Sequence, residues 1–224
     1  MSSDVSRGAV RTAERAIRVG IVGVLVVGVR RRDPGAVVNA ALALVGSYLP
    51  DVVERRYPVR FRPWQRVYTE AAMLTHAVGM LGPYDDVWWW DHLTHVHSAT
   101  LLGGVTHAVA RRTGLDPRPR VIAGVVGGGA LWEVVEYASH WLSRRVGLDP
   151  VLVSYGRVDT ALDLVFDLLG ALVVVALGDG LLENFHRRDH EAGDAGGHRD
   201  TAADDHDVGD ADGGHGDAGV GHRG

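Results

Sequence analysis

The sequence predicts an all-α membrane protein with about six transmembrane helices and a disordered C-terminal tail. Three observations support this prediction: six long apolar stretches, glycines inside those stretches, and arginines gathered between them. A membrane-spanning helix needs roughly 17–25 mostly apolar residues. A soluble helical bundle would instead need polar outer faces, which the second and sixth stretches lack. The stretches are residues 15–30, 35–53, 67–83, 91–110, 119–142 and 159–183.

The six stretches differ in how strongly each one predicts a span. The second, fifth and sixth meet the length and hydropathy criteria on their own, whereas the third and fourth carry polar groups. The first is short, although Arg15 and Arg18 can extend their charged ends toward the membrane surface. It is not interpreted as a signal peptide, because no A-x-A cleavage site follows it and "RRRDPG" comes next. Residues 1–183 are therefore predicted to form one transmembrane domain.

The C-terminal region, residues 184–224, is rich in glycine, aspartate and histidine, as in "GDADGGHGDAGVGHRG". It carries ten acidic residues and four arginines, a net charge of −6, and is predicted to be a disordered acidic tail. Residues 1–183 carry 18 acidic residues and 19 arginines, so charge gives no support for a nucleic-acid partner. The absence of cysteine excludes disulfides and thiol catalysis.

The arginines also predict an orientation. Thirteen of them lie in the N-terminal region and in the second and fourth loops between the apolar stretches, against six in the other three loops. Cytoplasmic loops carry the excess of positive charge. The sequence thus predicts a multi-pass protein of the cell membrane with both termini in the cytoplasm and the lipid bilayer as its partner.

Ionisable residues recur at helical spacing inside the last three stretches. Each such group costs roughly 2.5–3.5 kcal/mol to insert into lipid, so it normally faces a partner or water. With the predicted orientation, all three sets lie in the outer half of the membrane and are expected to form one pocket. Three groups of residues each share one helix face: Asp91 with His95; Glu133 with Glu136 and His140; and Asp159 with Asp163 and Asp167.

So many acids in one pocket must be protonated in part, paired with imidazolium, or neutralised by a cation. Carboxylate and imidazole groups without thiolate suit a divalent metal such as Zn, Mn or Fe. His92 is expected on another part of its helix than the face of Asp91 and His95. The predicted metal ligands are Asp91, His95, Glu133, Glu136, Asp159 and Asp163. The predicted supporting residues are His92, His140, Asp167 and His76.

The sequence predicts the location of the site more specifically than it predicts the function. HExxH, a GxSxG triad and the P-loop are all absent. The favoured interpretation is a metal-dependent enzyme that acts on a lipid-soluble substrate through a metal-activated water. The alternatives are a small transporter or proton- or cation-coupled carrier, and a structural membrane protein without catalysis. The last three apolar stretches contain no intramembrane lysine or arginine to hold a lipid phosphate, since the nearby arginines are placed in loops.

The remaining polar and aromatic residues near the site are predicted to have structural or surface roles. The run "WWW", Trp88 to Trp90, is typical of the aromatic belt at a membrane surface. Asp85 and Asp86 are expected to be solvated loop charges. His97 is expected to pack or to cap a helix, and His107 to lie at the opposite membrane surface.

Several motifs together resemble the YjdF-like family of uncharacterised polytopic inner-membrane proteins. They are "YLPDVVERRYPVRFRP", "VYTEAAMLTHAVGMLGPYD", "WWWDHLTHVHSATLLGG", "ALWEVVEYASHW" and "DTALDLVFDLLGAL", in matching order and spacing over about residues 42–176. The resemblance implies a small helical membrane fold but no particular reaction. The extra His92 and His97 and the acidic tail depart from the family pattern. The positions that the resemblance carries over are Asp91, His95, Glu133, Glu136, Asp159 and Asp163.

Overall fold

The computed structural model describes residues 2–147 and 156–186, with side chains from residue 8 onward. Within these residues, every regular element is a helix. The all-α prediction is therefore confirmed. Segment 148–155 and residues 187–224, which hold most of the predicted tail, lie outside the described residues. The helices are α1 (Ser2–Arg31), α2 (Pro34–Gly46), α3 (Leu49–Arg56), α4 (Pro63–Gly79), α5 (Pro83–Asp86), α6 (Trp90–Arg112), α7 (Pro117–Val146), α8 (Arg157–Leu181) and α9 (Glu183–His186).

Three helical stretches of the described chain are long and apolar enough to cross a membrane. They are Pro34–Arg56, which includes α2 and α3, and the whole of α7 and α8. These correspond to the second, fifth and sixth apolar stretches, the three that the sequence predicts most strongly. Helices α1, α4 and α6 correspond to the other three stretches.

The second predicted span is broken rather than continuous. Helix α2 ends at Gly46 and α3 begins at Leu49. Pro50 in the first turn of α3 has no N–H and disfavours a helical conformation at the residue before it, so a single unbroken helix cannot pass this point without losing a hydrogen bond. Gly46 also approaches α4 closely, since a Cβ there would lie 2.6 Å from the Met73 Sδ. After the break, Asp51 and Glu54 of α3 form ion pairs with arginines of α1 and α4.

The other helices begin and end where local chemistry dictates. Asp33 and Asp116 accept hydrogen bonds from backbone N–H groups in the first turns of α2 and α7, and both are followed by proline at the first helical position. Both features satisfy or remove N–H groups that have no partner inside the helix. Gly147 ends α7 in a left-handed conformation with φ of 73°.

The core consists of two apolar clusters of small side chains. One lies among α1, α2 and α4, and the other among α6, α7 and α8. Small residues permit close contact between helices in lipid, as at Gly170 of α8, where a Cβ would lie 2.6 Å from the Ala99 Cβ of α6. The buried residues of the first cluster are Ile21, Val24, Ala40, Ala43 and Ala77, and those of the second are Ala99, Val121, Val125, Ala171 and Val174.

Helices α6 and α8 run parallel. The residues that meet near their starts are Asp91 and Asp163, and those that meet near their ends are His107 and Asp179. Helix α7 runs in the opposite direction, because Gly124 faces Thr106 whereas Gly128 faces Leu102. The end of the bundle where α6 begins is called the site end below, and the other is called the opposite end.

Candidate functional site

His95 is the centre of a buried polar group between α6 and α8. Its Nδ1 lies 3.2 Å from the Asp167 Oδ1. Its Nε2 lies 3.7 Å from the Asp163 Oδ1 and 3.9 Å from the Asp91 Oδ1. Asp91 and His95 are four residues apart on α6, and Asp163 and Asp167 are four apart on α8, so two helix faces of matching spacing oppose each other.

Asp91, His95 and Asp163 form a group that could hold a metal ion, with one ligand atom from each residue and all three atoms within 4.8 Å of one another. His95 and Asp163 are buried, and Asp91 is half-buried. Ligands bonded to one ion at about 2.0–2.2 Å lie at most about 4.4 Å apart. Only small side-chain movements would therefore be needed to bring the three atoms onto one ion.

Asp167 contacts His95 directly, which the sequence did not predict. It was expected to be a supporting residue, and its Oδ1 lies on the far ring nitrogen of His95, away from the group of three. Its Oδ2 is buried without a hydrogen-bond partner among the described residues. That oxygen is placed directly over Gly129 of α7, where a Cβ would overlap it. Gly129 therefore makes room for the Asp167 carboxylate.

His92 corrects the sequence prediction. It was expected away from the face of Asp91 and His95, but its Nδ1 lies 3.2 Å from the Asp163 Oδ1 and its ring is buried. The ring stacks on Phe166 with centroids 4.5 Å apart. Residues three positions apart are neighbours on a helix surface, and the face that α6 presents to α8 is wide enough to include both His92 and His95.

The acids of α7 and Asp159 are not brought into the group of three in the described structure, although they lie nearby. Glu136 and Asp159 are half-buried, and both are close enough to Asp91 and His95 for their charges to interact. The Glu136 Oε1 accepts a hydrogen bond from the Trp132 Nε1, 3.0 Å away.

Two polar atoms on the same face of α7 have no partner among the described residues. They are the buried Glu133 Oε1 and the buried His140 Nδ1. Three predicted ligands, Glu133, Glu136 and Asp159, thus stand around the group rather than within it.

His76 is connected to the group through hydroxyl groups. Its Nδ1 lies 3.1 Å from the Tyr84 hydroxyl and its Nε2 lies 3.0 Å from the Ser98 hydroxyl. The Tyr84 hydroxyl lies 3.4 Å from the Thr94 Oγ1, which is 3.3 Å from the Asp91 Oδ1. A chain of exchangeable protons therefore extends from Asp91 to α4.

The tryptophan run divides between two environments. Trp88 and Trp89 are 80% and 45% exposed, as expected of residues at a membrane surface. Trp90 turns inward, and its Nε1 donates a hydrogen bond to the Thr75 carbonyl of α4.

His97, which was expected to pack or to cap a helix, packs edge-to-face against Tyr68.

His107, expected at the opposite membrane surface, is buried between α6 and α8 near that end of the bundle. It is 2% exposed, and its Nε2 lies 3.1 Å from the Asp179 Oδ1, which also accepts hydrogen bonds from Arg111. This second contact between a histidine of α6 and an aspartate of α8 lies at the opposite end of the bundle. It involves one carboxylate instead of three and an arginine that compensates it.

The sequence prediction also missed a set of ion pairs at the opposite end, called the arginine network below. Arg66 contacts three carboxylates and Arg18 contacts two. The Arg18 guanidinium, which was expected to extend toward the membrane surface, also lies over the Tyr48 ring, 4.1 Å from the centroid. The break between α2 and α3 places two of the carboxylates beside these arginines. The four carboxylates are Glu14, Asp51, Glu54 and Glu70.

This helical bundle, with stretches able to span a bilayer, exposed tryptophans and a buried Asp/His/Asp group, defines a multi-pass α-helical membrane protein. Residues 13–184 match the family described as "Predicted membrane protein (DUF2238)", so the chain belongs to that family. The resemblance to the YjdF-like membrane proteins is confirmed by this match. No curated protein and no solved structure matches the chain.

Proposed function

We propose that this protein is a metal-dependent membrane enzyme whose site is built on Asp91, His95 and Asp163. The observation that supports the proposal most directly is the convergence of three ligand atoms within 4.8 Å in a buried contact between two helices. A membrane-embedded carboxylate or imidazole is costly, and it normally marks a functional path or has a partner. Three such groups at one point, with Asp167 as a third acid behind His95, favour a site for a cation.

The donor set suggests which metals fit. Two carboxylates and an imidazole without thiolate suit Zn, Mn or Fe. A divalent ion there would supply an activated water or polarise a substrate oxygen. Glu136 and Asp159 lie near the group and are candidates to accept a proton, and Glu133 and His140 are further candidates on the same face of α7. Asp167 would hold the His95 ring in its orientation from the far side.

The charges of the group also favour a cation. The His95 imidazole is surrounded by three carboxylates, those of Asp91, Asp163 and Asp167. His92 contributes a second imidazole, next to Asp163. Arginine contacts none of these aspartates among the described residues. In a low-dielectric environment such an excess of acid must be neutralised by protons or by a metal. Because the site lies within helices of the bilayer-spanning bundle, its substrate is proposed to be lipid-soluble.

One observation favours a second candidate, a proton- or cation-coupled carrier. The hydrogen-bonded chain from Asp91 through Thr94 and Tyr84 to His76 links two helices through groups that can exchange protons. Ion flux into proteoliposomes that Asp163→Asn abolishes, together with absence of bound metal, would favour the carrier. If acid-to-amide variants lose only thermal stability, a structural role is supported instead.

We also propose that both termini lie in the cytoplasm, which the distribution of thirteen against six arginines supports. The chain has no cysteine, so single cysteines report cleanly on each end of the bundle. Asp86→Cys at the site end should react with an impermeant thiol reagent added to intact cells. Thr113→Cys at the opposite end should react only after permeabilisation, and the reverse labelling would contradict the orientation.

Metal analysis of the purified protein tests the enzyme proposal. We expect about one equivalent of a transition metal in the wild type, and well under about 0.1 equivalent in Asp163→Asn and His95→Gln. His107→Gln is the matched control, because it alters the other contact between a histidine and an aspartate in the same pair of helices. Equal metal content in all four proteins, or none in any, would sink the proposal.

A further inference from the structure

The last two turns of α7 carry an open cavity of about 330 Å³. Its lining residues lie three, four, seven and eight positions after the first of them, so they share one face of the helix. None of them belongs to the group of Asp91, His95 and Asp163. The lining residues are Tyr137, His140, Trp141, Arg144 and Arg145.

The cavity is rich in positive charge and in hydrogen-bond donors. Within residues 2–147 and 156–186, no carboxylate lies within ion-pair distance of Arg144 or Arg145. The Arg145 guanidinium is instead over the Trp141 ring, 5.3 Å from its centroid. The His140 Nδ1 is buried without a hydrogen-bond partner in the same part of the chain. The cavity therefore offers two guanidinium groups and an imidazole to a ligand.

Arginines near a helix C-terminus also interact favourably with the helix dipole. That role explains the position of Arg144 and Arg145 in the chain. It does not require a cavity, a guanidinium over a tryptophan ring, or a buried imidazole nitrogen beside them. These three features together point to an anionic ligand.

We propose that this cavity binds the phosphate of an anionic phospholipid. Guanidinium groups bind phosphate through paired, charge-assisted hydrogen bonds. Tyr137 and Trp141 are 67% and 52% exposed, and such aromatic residues lie at the depth of lipid headgroups. The acyl chains would lie along the exposed apolar side chains of the same helix, among them Leu131, Val134 and Leu142. The sequence interpretation placed these arginines in a loop, but they belong to the last turn of α7.

The position of the cavity also suggests a substrate class, an inference that rests on the proposed metal-dependent function. His140 is one helical turn from Glu136, a rise of about 6 Å. Arg144 is eight residues from Glu136, a rise of about 12 Å, so a phosphate bound between Arg144 and His140 would extend its glycerol region toward the level of Glu136. The candidate metal site would then act on the part of an anionic phospholipid next to its phosphate.

Native mass spectrometry of the purified full-length protein tests the binding, with phosphatidylglycerol and phosphatidylcholine as probes. We expect the wild type to retain phosphatidylglycerol preferentially. The double variant Arg144→Gln/Arg145→Gln should lose that preference by about tenfold or more, as expected when charge-assisted hydrogen bonds are removed. The matched control is Arg118→Gln/Arg120→Gln, which removes the same charge from the other end of α7 and should retain the preference.

Both arginine pairs are exposed, so both variants should fold, and equal melting temperatures would verify this. An unchanged lipid preference in Arg144→Gln/Arg145→Gln would overturn the proposal, as would an equal loss in the control. Retention of an acidic protein contaminant in place of lipid would also overturn it. Metal content measured in the same samples separates the two proposals. Lipid preference without metal leaves the headgroup site standing and refutes the metal-dependent function, and metal without lipid preference does the reverse.

Discussion

His95 of α6 and Asp167 of α8 lie with Nδ1 and Oδ1 3.2 Å apart, and this contact turns the other ring nitrogen of His95 toward Asp91 and Asp163. One imidazole thus has a carboxylate on its far side and two carboxylates on its near side. Histidines that bind metals usually contact such an outer carboxylate, which fixes the ring and raises its basicity.

Asp167→Asn should weaken metal binding without removing a ligand. The amide keeps the shape of the side chain but loses the charge that orients and polarises His95. We expect metal affinity to fall about 10–100-fold, measured by competition with a zinc chelator. Asp179→Asn, at the opposite end of the same helix, is the control and should bind metal like the wild type. Equal affinity in Asp167→Asn and the wild type would show that Asp167 does not position His95.

Gly129→Ala should disturb the same contact from a third helix. A Cβ at Gly129 would overlap the Asp167 carboxylate, so the aspartate must move away from His95 or α7 must shift. We expect weaker metal binding in this variant, measured by the same competition.

Gly127→Ala is the matched control for Gly129→Ala, since a Cβ at Gly127 meets nothing within 4 Å. It should leave the metal affinity unchanged. If both alanine variants bind metal equally well, Gly129 does not hold Asp167 in place.

Gly170→Ala should force α6 and α8 apart. The new Cβ would lie 2.6 Å from the Ala99 Cβ and 2.9 Å from the Val96 carbonyl oxygen, and backbone cannot yield as a long side chain can. Overpacking of this kind costs about 1–3 kcal/mol. Resistance to unfolding in mixed detergent micelles measures the loss. Gly180→Ala, in the same helix but with open space around it, should resist unfolding as the wild type does.

Much of the fold could be predicted because its signals are local. The apolar stretches predicted the helices, and a spacing of four residues placed Asp91 beside His95 and Asp163 beside Asp167. The break at Ser47 and Tyr48 was missed, although Pro50 is a local signal for it.

The pairing between helices could not be predicted in the same way. Asp167 rather than Asp159 reaches His95, because the close approach of Gly170 to Ala99 sets how α6 and α8 slide along each other. Spacing along one helix carries no information about that offset. The partners of Arg18 could not be predicted for a similar reason, since they lie 33 and 52 residues away along the chain.

Arg66→Gln should destabilise the protein strongly. Arg66 is mostly buried and contacts Glu14, Asp51 and Glu54, so its removal leaves Glu14 and Glu54 without a counter-charge, whereas Asp51 keeps Arg18. Breaking a buried ion pair from one side costs about 3–5 kcal/mol, and we expect a loss near that size in unfolding from detergent micelles. Arg55→Gln, an exposed arginine of α3, should change stability little.

A second substitution separates loss of charge balance from loss of packing at Arg66. Glu14 is 7% exposed and contacts Arg66 from α1, so Glu14→Gln removes one of the carboxylates that Arg66→Gln leaves uncompensated. The double variant should therefore be more stable than Arg66→Gln alone, although Glu14→Gln by itself destabilises. A double variant that is less stable than either single variant would show that Arg66 acts through the packing of its side chain, because neutralising its partner would then bring no recovery.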